Sequence, residues 1–324
     1  MDRRIPLNFI LNFCGEIRKD QGEDNWFYSF GSSAGMLGVF DGCGGAGART
    51  SEHYAGHTEA FMASRLCAGV FYESFNEVYP GAMSASEFAS RVLTPNLIRR
   101  FQENAPPQDT TGFQIRGSMV RTLPTTAAAV LIQQDRESEL LVSPIWAGDS
   151  RVYVMDATGL AQLTMDDTSV PDPMENQYED GVLKNIICQD RPVRLRVRSL
   201  RIKPPFVILA ATDGCFGYVS TPMEFEGLLL ETMLKAENVG QWEESLKAAI
   251  GSFAGDDHTM CLAALGYRDF QSIQRVFAKR YECLEQQFLA TVRRTPLEDR
   301  DTRRVLWSQY KQGYMRYLRG EAEK

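Results

Sequence analysis

The chain has 324 residues, of which 44% are hydrophobic and 24% are charged, and its formal net charge is −7. This is the composition of a globular protein with one sizeable core, and it excludes the fibrous and disordered classes. Nucleic acid and anionic membranes repel a negatively charged surface, so neither is an expected partner.

Strand-like runs rich in Val, Ile and aromatic residues recur along the chain, each bounded by Gly, Pro or Asp. The N-terminal run is interrupted by Asn8 and Asn12 and lacks a small-residue cleavage site, which favours a first strand over a signal peptide. The later runs predict strands at 26–30, 36–40, 127–132, 140–146, 151–155, 193–202, 206–211 and 260–265.

Long helices are predicted at 51–77, 84–104 and 222–254, between clusters of strands. This order favours helices that cover a sandwich of sheets over a regular βαβ alternation. Two irregular stretches, 102–122 and 165–185, contain prolines and glycines and are predicted to be loops. Loops of this length inside a compact domain are usually functional, and lids are the common case.

The C-terminal part of the chain differs in pattern and charge. Helices are predicted at 269–292 and 299–320, and from Phe270 onward 12 Lys and Arg face 7 Asp and Glu. We therefore predict a domain at 1–266 and a helical hairpin extension at 267–324. The hairpin either packs on the sandwich or forms an arm that docks a partner or dimerises.

Seven cysteines are scattered along the chain without a Cys-x-x-Cys pair. This number and spacing disfavour structural zinc and a disulfide framework, and they predict a cytoplasmic location in a reducing environment. The residues are Cys14, Cys43, Cys67, Cys188, Cys215, Cys261 and Cys283.

Five short acidic motifs follow one another along the chain, most of them at the end of a predicted strand. Four place aspartate beside glycine just after apolar residues, which presents bare carboxylates to a divalent metal ion. Oxygen-only ligands of this kind suit magnesium, calcium or manganese rather than zinc. The motifs are Gly-Glu-Asp-Asn at 22–25, Phe-Asp-Gly-Cys-Gly-Gly at 40–45, Ala-Gly-Asp-Ser-Arg at 147–151, Ala-Thr-Asp-Gly at 211–214 and Gly-Asp-Asp-His-Thr at 255–259.

Asp41 is the best candidate for a carboxylate shared by two metal ions, because it ends the predicted strand 36–40 and precedes Gly42. Without a Cβ, Gly42 can bring its backbone carbonyl close to a metal. Two metals that share a ligand in this way lower the pKa of water and orient a phosphoryl group. The pattern therefore predicts metal-assisted phosphate chemistry.

Taken in order over about residues 10–266, these motifs resemble the metal-dependent serine/threonine protein phosphatases of the protein phosphatase 2C (PPM) type. The resemblance implies an α+β fold, a four-layer αββα sandwich of two antiparallel sheets flanked by helices. It also implies that Asp41, Asp213 and Asp257 hold one metal, and that Asp41 and the Gly42 carbonyl hold a second. The metals would be Mn²⁺ or Mg²⁺.

Further ligands follow from the same resemblance. Glu23 and Asp24 match the acidic pair that holds water ligands of the second metal. Asp149 matches the ligand of a third, weaker metal of bacterial members. The match also places His258 where the family usually has asparagine, which leaves the preceding aspartate untouched.

Two departures from the family pattern concern the reaction itself. Cys43 stands where many eukaryotic members have a histidine that acts as general acid, which points to a bacterial-type member. The acid is then Cys43 or a metal-bound water. Lys19 stands where the family has its phosphate-binding arginine; we favour the neighbouring Arg18, because a guanidinium grips phosphate with two donors.

The resemblance predicts hydrolysis of phosphoserine and phosphothreonine by a hydroxide that bridges two metals. The implied partners are a phosphorylated protein and a serine/threonine kinase that forms it. Two alternatives stay open: a pseudophosphatase that binds phosphoproteins as a regulatory module, and an enzyme of the same fold that acts on a small phosphate ester. The acidic loop 165–185 is expected to disfavour acidic substrates.

Overall fold

The computed structural model describes residues 4–80, 83–106, 120–136, 138–170, 172–179 and 181–318. Much of the predicted loop 102–122 and the end of the predicted helix 299–320 therefore lie outside the described residues. The strands are β1 (Leu7–Gly15), β2 (Asn25–Phe30), β3 (Ala34–Phe40), β4 (Ala127–Arg136), β5 (Glu139–Ala147), β6 (Arg151–Asp156), β7 (Gly159–Gln162), β8 (Arg196–Val197), β9 (Leu200–Ile202), β10 (Phe206–Ala211) and β11 (His258–Leu265).

The helices include two nearly continuous runs, because wide turns at Ala89–Leu93 and Glu285–Leu289 join α3 to α4 and α8 to α9. The helices are α1 (Gly44–Gly47), α2 (Glu59–Val78), α3 (Ala85–Phe88), α4 (Thr94–Glu103), α5 (Glu175–Tyr178), α6 (Pro222–Lys235), α7 (Val239–Gly251), α8 (Phe270–Leu284), α9 (Ala290–Val292) and α10 (Arg300–Tyr314).

The strands form two antiparallel sheets. The first has the order β1-β11-β10-β6-β7 and the second β2-β3-β4-β5-β8, with β9 also paired to β5. Side chains alternate across each strand, so Leu37 and Val39 of β3 join the core between the sheets. Met36 and Phe40 of the same strand face the core under the helices of the second sheet.

Helices cover the outer face of both sheets. The core of α2, α3 and α4 is continuous with the second sheet. That of α6, α7, α8 and α10 is continuous with the first sheet. The predicted four-layer αββα sandwich is therefore confirmed.

Several predicted boundaries shift for local reasons. The helix predicted from residue 51 begins at Glu59, because the Thr58 side chain caps it by accepting the amide of Phe61. The helix predicted at 222–254 is two helices, since Asn238 starts α7 as its N-cap. The strand predicted at 193–202 is divided into β8 and β9.

The C-terminal helices pack on the sandwich and share its core. Phe277 of α8 and Trp307 of α10 belong to the same buried cluster as the outer face of the first sheet. The buried carboxylate of Glu226 in α6 accepts from Arg280 at 2.7 Å and from the Tyr310 hydroxyl at 2.6 Å. The two segments, 1–266 and 267–324, thus stay a prediction about domains, while their side chains meet in one core.

No helix of the described residues is both long and apolar enough to cross a lipid bilayer.

Candidate metal centre

The strand register gathers the acidic motifs at one end of the sandwich. Asn25 pairs with Phe40, so the segments that hold Asp24 and Asp41 are adjacent. Ala211 of β10 pairs with both Met260 of β11 and Arg151 of β6. The turns before β6 and β11 therefore flank the turn that follows β10, and their aspartates meet there.

Three aspartates form the centre of this site. Asp41, Asp149 and Asp213 each offer a carboxylate oxygen, and these oxygens lie within 4.8 Å of one another. Asp41 follows β3, Asp149 lies in the turn between β5 and β6, and Asp213 follows β10. Each side chain thus comes from the end of a different strand, a rigid support for a bound ion.

Burial and mutual repulsion dominate the electrostatics of the cluster. Burial, followed by the charges of Asp213 and Asp24, raises the pKa of the Asp41 carboxyl well above its usual range. The pKa of Asp149 is raised in the same direction by burial and by Asp213. Burial and Asp256 raise the pKa of Asp213 to about 6. A divalent cation would remove this repulsion.

Asp24 completes the buried acidic group. Its carboxylate accepts a hydrogen bond of 2.8 Å from the Thr212 hydroxyl. Burial and the neighbouring Asp213 raise the pKa of Asp24 well above its usual range. Asp24 therefore lies beside the cluster, and its role in holding water ligands of a metal stays a prediction.

The donor set fits a hard divalent cation. Oδ1 of Asp149 is buried and has no hydrogen-bond partner among the described residues. Such an orphaned acceptor is costly unless a cation satisfies it. Carboxylate oxygens without nitrogen or sulfur ligands favour magnesium or manganese over zinc. Asp41, Asp149 and Asp213 could therefore hold such an ion.

Two glycines of the motifs are required by packing. A Cβ on Gly42 would lie 2.4 Å from the backbone oxygen of Ala60 in α2. A Cβ on Gly214 would lie 1.9 Å from the backbone oxygen of Asp257. These close contacts bring the turns after β3 and β10 against their neighbours. Packing therefore requires glycine at position 42, independently of the predicted contact between its carbonyl and a metal.

The two neighbouring aspartates before β11 have different surroundings. The Asp257 oxygens accept the amides of Ile17 at 2.8 Å and Glu23 at 2.7 Å, so this carboxylate fastens the loop 16–23. The charge of Asp256, in contrast, raises the pKa of Asp213 and of Asp41. The charge of Asp256 thus acts on two aspartates of the cluster and that of Asp257 on Asp24, while the sequence analysis selected Asp257.

Glu23 lies at the edge of the cluster. Its Oε1 accepts a hydrogen bond from the Thr58 hydroxyl at 2.5 Å. Its Oε2 is so close to Gly44 that a Cβ on this glycine would lie 2.2 Å from it. Burial raises the pKa of Glu23, with further contributions from Asp257 and Asp256. The carboxylate is therefore fixed between helix α2 and the glycine turn after Asp41.

Arg18 and Lys19 lie on the loop that Asp257 fastens, and both are exposed. They line a cavity of 790 Å³ together with Glu23 and Asp256. Both cations can therefore reach an anion beside the acidic cluster, and the structure does not choose between them. The assignment of Arg18 stays a prediction.

Cys43 is partly buried next to the cluster. Burial, followed by the charges of Asp41 and Asp149, raises the pKa of its thiol well above the usual range. The thiol is therefore protonated at neutral pH, and the same shift makes it a weak proton donor. The geometry favours neither acid that the sequence analysis left open.

Sequence reasoning missed a buried ion pair behind the site. The Arg151 guanidinium donates to both oxygens of Asp166, with 2.7 Å from Nη2 to Oδ2. It also stacks 4.2 Å from the ring centroid of Phe216. Because Arg151 follows Asp149 by two residues, this anchor holds the turn that carries Asp149. The adjacent acidic pair Asp166 and Asp167 was the available signal.

A second cavity of 360 Å³ opens on the other side of the cluster and contains Asp149 and Asp213 in its lining. Asn176, Gln177 and Tyr178 of the predicted lid also line it. These described residues of the predicted lid therefore lie beside the acidic cluster.

Comparisons with known proteins support the fold. No protein-family model and no curated protein matches the sequence. The structure resembles the serine/threonine phosphatase PstP/Ppp of Mycobacterium tuberculosis with a TM-score of 0.55 and 17% identity, over 80% of this chain and 99% of that one. It resembles phosphatase Stp1 of Staphylococcus aureus with a TM-score of 0.57 and 17% identity, over 82% and 98%.

A third similar structure is the catalytic domain of PstP in complex with 2 manganese ions, with a TM-score of 0.52 and 18% identity, over 79% of this chain and 97% of that one. The similarity thus spans nearly the whole of each phosphatase chain. Over about four fifths of its length, the chain has the fold of the bacterial PPM-type serine/threonine phosphatases.

Proposed function

We propose that this chain is a metal-dependent phosphatase that removes phosphate from serine or threonine in proteins. The observation that carries the proposal is the cluster of Asp41, Asp149 and Asp213, whose oxygens lie within 4.8 Å. It occupies the strand ends of a fold shared with serine/threonine phosphatases. A phosphorylated protein and the kinase that forms it are the proposed partners, and the free cysteines agree with a cytoplasmic location.

Asp41 and Asp213 would hold Mn²⁺ or Mg²⁺ at the centre, with the Gly42 carbonyl beside them. We assign the late ligand to Asp256, because its charge acts on Asp213 and Asp41 and its Oδ2 has no amide donor among the described residues, whereas both oxygens of Asp257 hold the loop 16–23. Glu23 and Asp24 lie beside this group and would orient its water. Asp149 would hold the weaker third ion.

Two ions bound there would supply a water of lowered pKa and positive charge for the phosphoryl oxygens. The chain's own residues do the remaining work. Asp257 fixes the loop 16–23, so Arg18 and Lys19 stand beside the cavity that would receive the phosphate. The ion pair of Arg151 and Asp166 keeps the turn of Asp149 rigid.

The test is release of phosphate by the full chain from a phosphothreonine peptide and from p-nitrophenyl phosphate, with manganese, with magnesium and with EDTA. We expect turnover with either metal and none with EDTA. Turnover of metabolite phosphates with no turnover of the peptide would instead identify a small-ester phosphatase. A folded protein that binds the phosphopeptide and never hydrolyses it would be a pseudophosphatase.

A further inference from the structure

A third cavity lies beside the lid, and its charge is opposite to that of the molecule. It has a volume of 540 Å³. Four cationic side chains line it together with Asn185, Ile186 and Pro192, and no carboxylate among the described residues does. The cations are Lys184, Arg191, Arg194 and Arg196.

Most of this positive charge is not paired with carboxylates of the described residues. Arg196 forms an ion pair of 2.5 Å with Asp167. The side chains of Lys184, Arg191 and Arg194 form no ion pair with any residue of the described ranges. Like charges gathered around one cavity repel one another, and an anion bound between them would relieve that repulsion.

Two sets of backbone contacts connect the cavity to the metal centre. Ile187 and Thr125 exchange backbone hydrogen bonds of 2.9 Å, and the Thr125 hydroxyl donates to the backbone oxygen of Asp41 at 2.8 Å. On the other side, the amide of Asp167 donates to the backbone oxygen of Gly148, the residue before Asp149. Ile187, which follows Ile186 of the cavity lining, is therefore joined to Asp41 through Thr125.

The lid does not offset this charge. The Asp166 carboxylate is paired with Arg151, and Asp167 is paired with Arg196. Asp172 and Glu175 are paired with cations of α10. These four carboxylates are therefore paired within the protein, while the expectation that the lid disfavours acidic substrates stays a prediction.

We propose that this cavity binds an acidic segment of the substrate protein, a few residues from the phosphorylated side chain. The proposal rests on the proposed function and specifies its substrate class. The hydrogen bonds that run from Ile187 through Thr125 to Asp41 make the cavity a neighbour of the metal centre, so an extended peptide can continue from one to the other. A short acidic segment fits better than a long polyanion, since the residues before Phe270 carry a net charge of −12.

The test compares phosphothreonine peptides that carry three glutamates or three glutamines, on either the N-terminal or the C-terminal side. For the full chain at low salt, kcat/KM for the acidic peptide is expected to exceed that for its neutral match by roughly tenfold on one of the two sides. The ratio should fall as salt is added, because the charges are exposed.

The matched variants change the same number of charges at two places. Arg191→Glu with Arg194→Glu should bring the ratio of acidic to neutral kcat/KM to about one or below it. The control Arg275→Glu with Lys279→Glu, on exposed positions of α8, should keep the preference. Thermal unfolding midpoints verify that both proteins are folded.

Three results would overturn the proposal: equal kcat/KM for acidic and neutral peptides on both sides, an equal loss of preference in the control, or displacement of the acidic peptide by an oligothymidylate. Failure of the proposed function gives a different result. If no peptide is hydrolysed, fluorescence anisotropy with the same peptides and variants decides whether the cavity binds acidic segments.

Discussion

At the scale of single residues, the function depends on which of two adjacent carboxylates faces the metals. We expect Asp256→Asn to lower manganese-supported kcat/KM by about 100-fold or more, since it weakens the binding of an ion that the proposed reaction needs. Asp257→Asn should cost about 1 kcal/mol of stability, because its amide oxygen can accept only one of the two loop amides, of Ile17 or of Glu23, and its nitrogen accepts neither.

Steady-state kinetics over a manganese titration separates the two variants. The loss in Asp256→Asn should appear as a weaker apparent affinity for manganese. Asp257→Asn should chiefly raise KM, because it frees the loop of Arg18. The reverse pattern would return the ligand role to Asp257.

The same cluster sets a conflict between stability and function. Asp149→Asn removes one of three buried carboxylates, so the metal-free variant should be more stable than the wild type by about 1–3 kcal/mol. Manganese at a hundredfold excess over its Kd should stabilise the wild type by about 2.7 kcal/mol and the variant by less.

Denaturant unfolding in EDTA and in manganese measures both effects. Asp135→Asn, at the end of β4 far from the cluster, removes a carboxylate that is half-buried and paired with Arg201; this control should respond to manganese as the wild type does. A variant of Asp149 that is less stable than the wild type in EDTA would show that no repulsion is stored there.

At the scale of elements, helix α10 holds the lid. Lys311 donates to Oδ2 of Asp172 at 2.7 Å, and the Trp307 indole donates to the same carboxylate. Arg304 binds both oxygens of Glu175, with distances of 2.8 and 2.9 Å. The C-terminal hairpin thus fixes the segment that lies beside Asp149 and Asp213.

Asp172→Asn tests this contact, because it removes the charge opposite Lys311 and keeps an acceptor for Trp307. We expect a loss of about 0.5–1 kcal/mol and faster thermolysin cleavage within 165–185. Glu244→Gln, on the surface of α7, serves as the control and should leave cleavage unchanged. Unaltered cleavage in Asp172→Asn would show that the hairpin does not hold the lid.

The contact should also depend on pH. Burial raises the pKa of Asp172, but the hydrogen bonds from Lys311 and from the Glu175 amide outweigh it and lower the pKa. A lowered folded pKa gives stability that is present above the unfolded value near 3.9 and is lost as pH falls through the folded value. The difference in unfolding midpoint between wild type and Asp172→Asn should therefore shrink as pH falls below the unfolded pKa near 3.9.

At the scale of the whole molecule, the extension and the sandwich share one core. Phe277→Ala should cost about 3–5 kcal/mol, since the ring is fully buried with side chains of the first sheet. Leu297→Ala, at an exposed position of the link between the helices, should change the stability by less than about 0.5 kcal/mol.

Urea unfolding followed by tryptophan fluorescence and by circular dichroism decides whether that core is one cooperative unit. We expect a single transition that both probes report with the same midpoint. An earlier transition confined to the C-terminal helices would instead support two independent domains divided at residue 266.

The sequence by itself determined the strands, the sandwich and the acidic motifs of this protein. Strand alternation and the position of aspartate after an apolar run are local properties, and a local pattern needs no partner to be recognised. Asp41, Asp149 and Asp213 were therefore found from their own neighbourhoods, as was the order of the motifs.

Only the tertiary structure decided how those residues are used. Ile17 and Asp257 are 240 residues apart in the chain, yet they share the hydrogen bond on which the proposed difference between Asp257 and Asp256 rests. Three other features also depend on charges brought together from distant segments. They are the ion pairs of the lid, the basic cavity beside it and the contacts of α10 with Asp172 and Glu175. No pattern within one segment contains that information, because it exists only after the chain has folded.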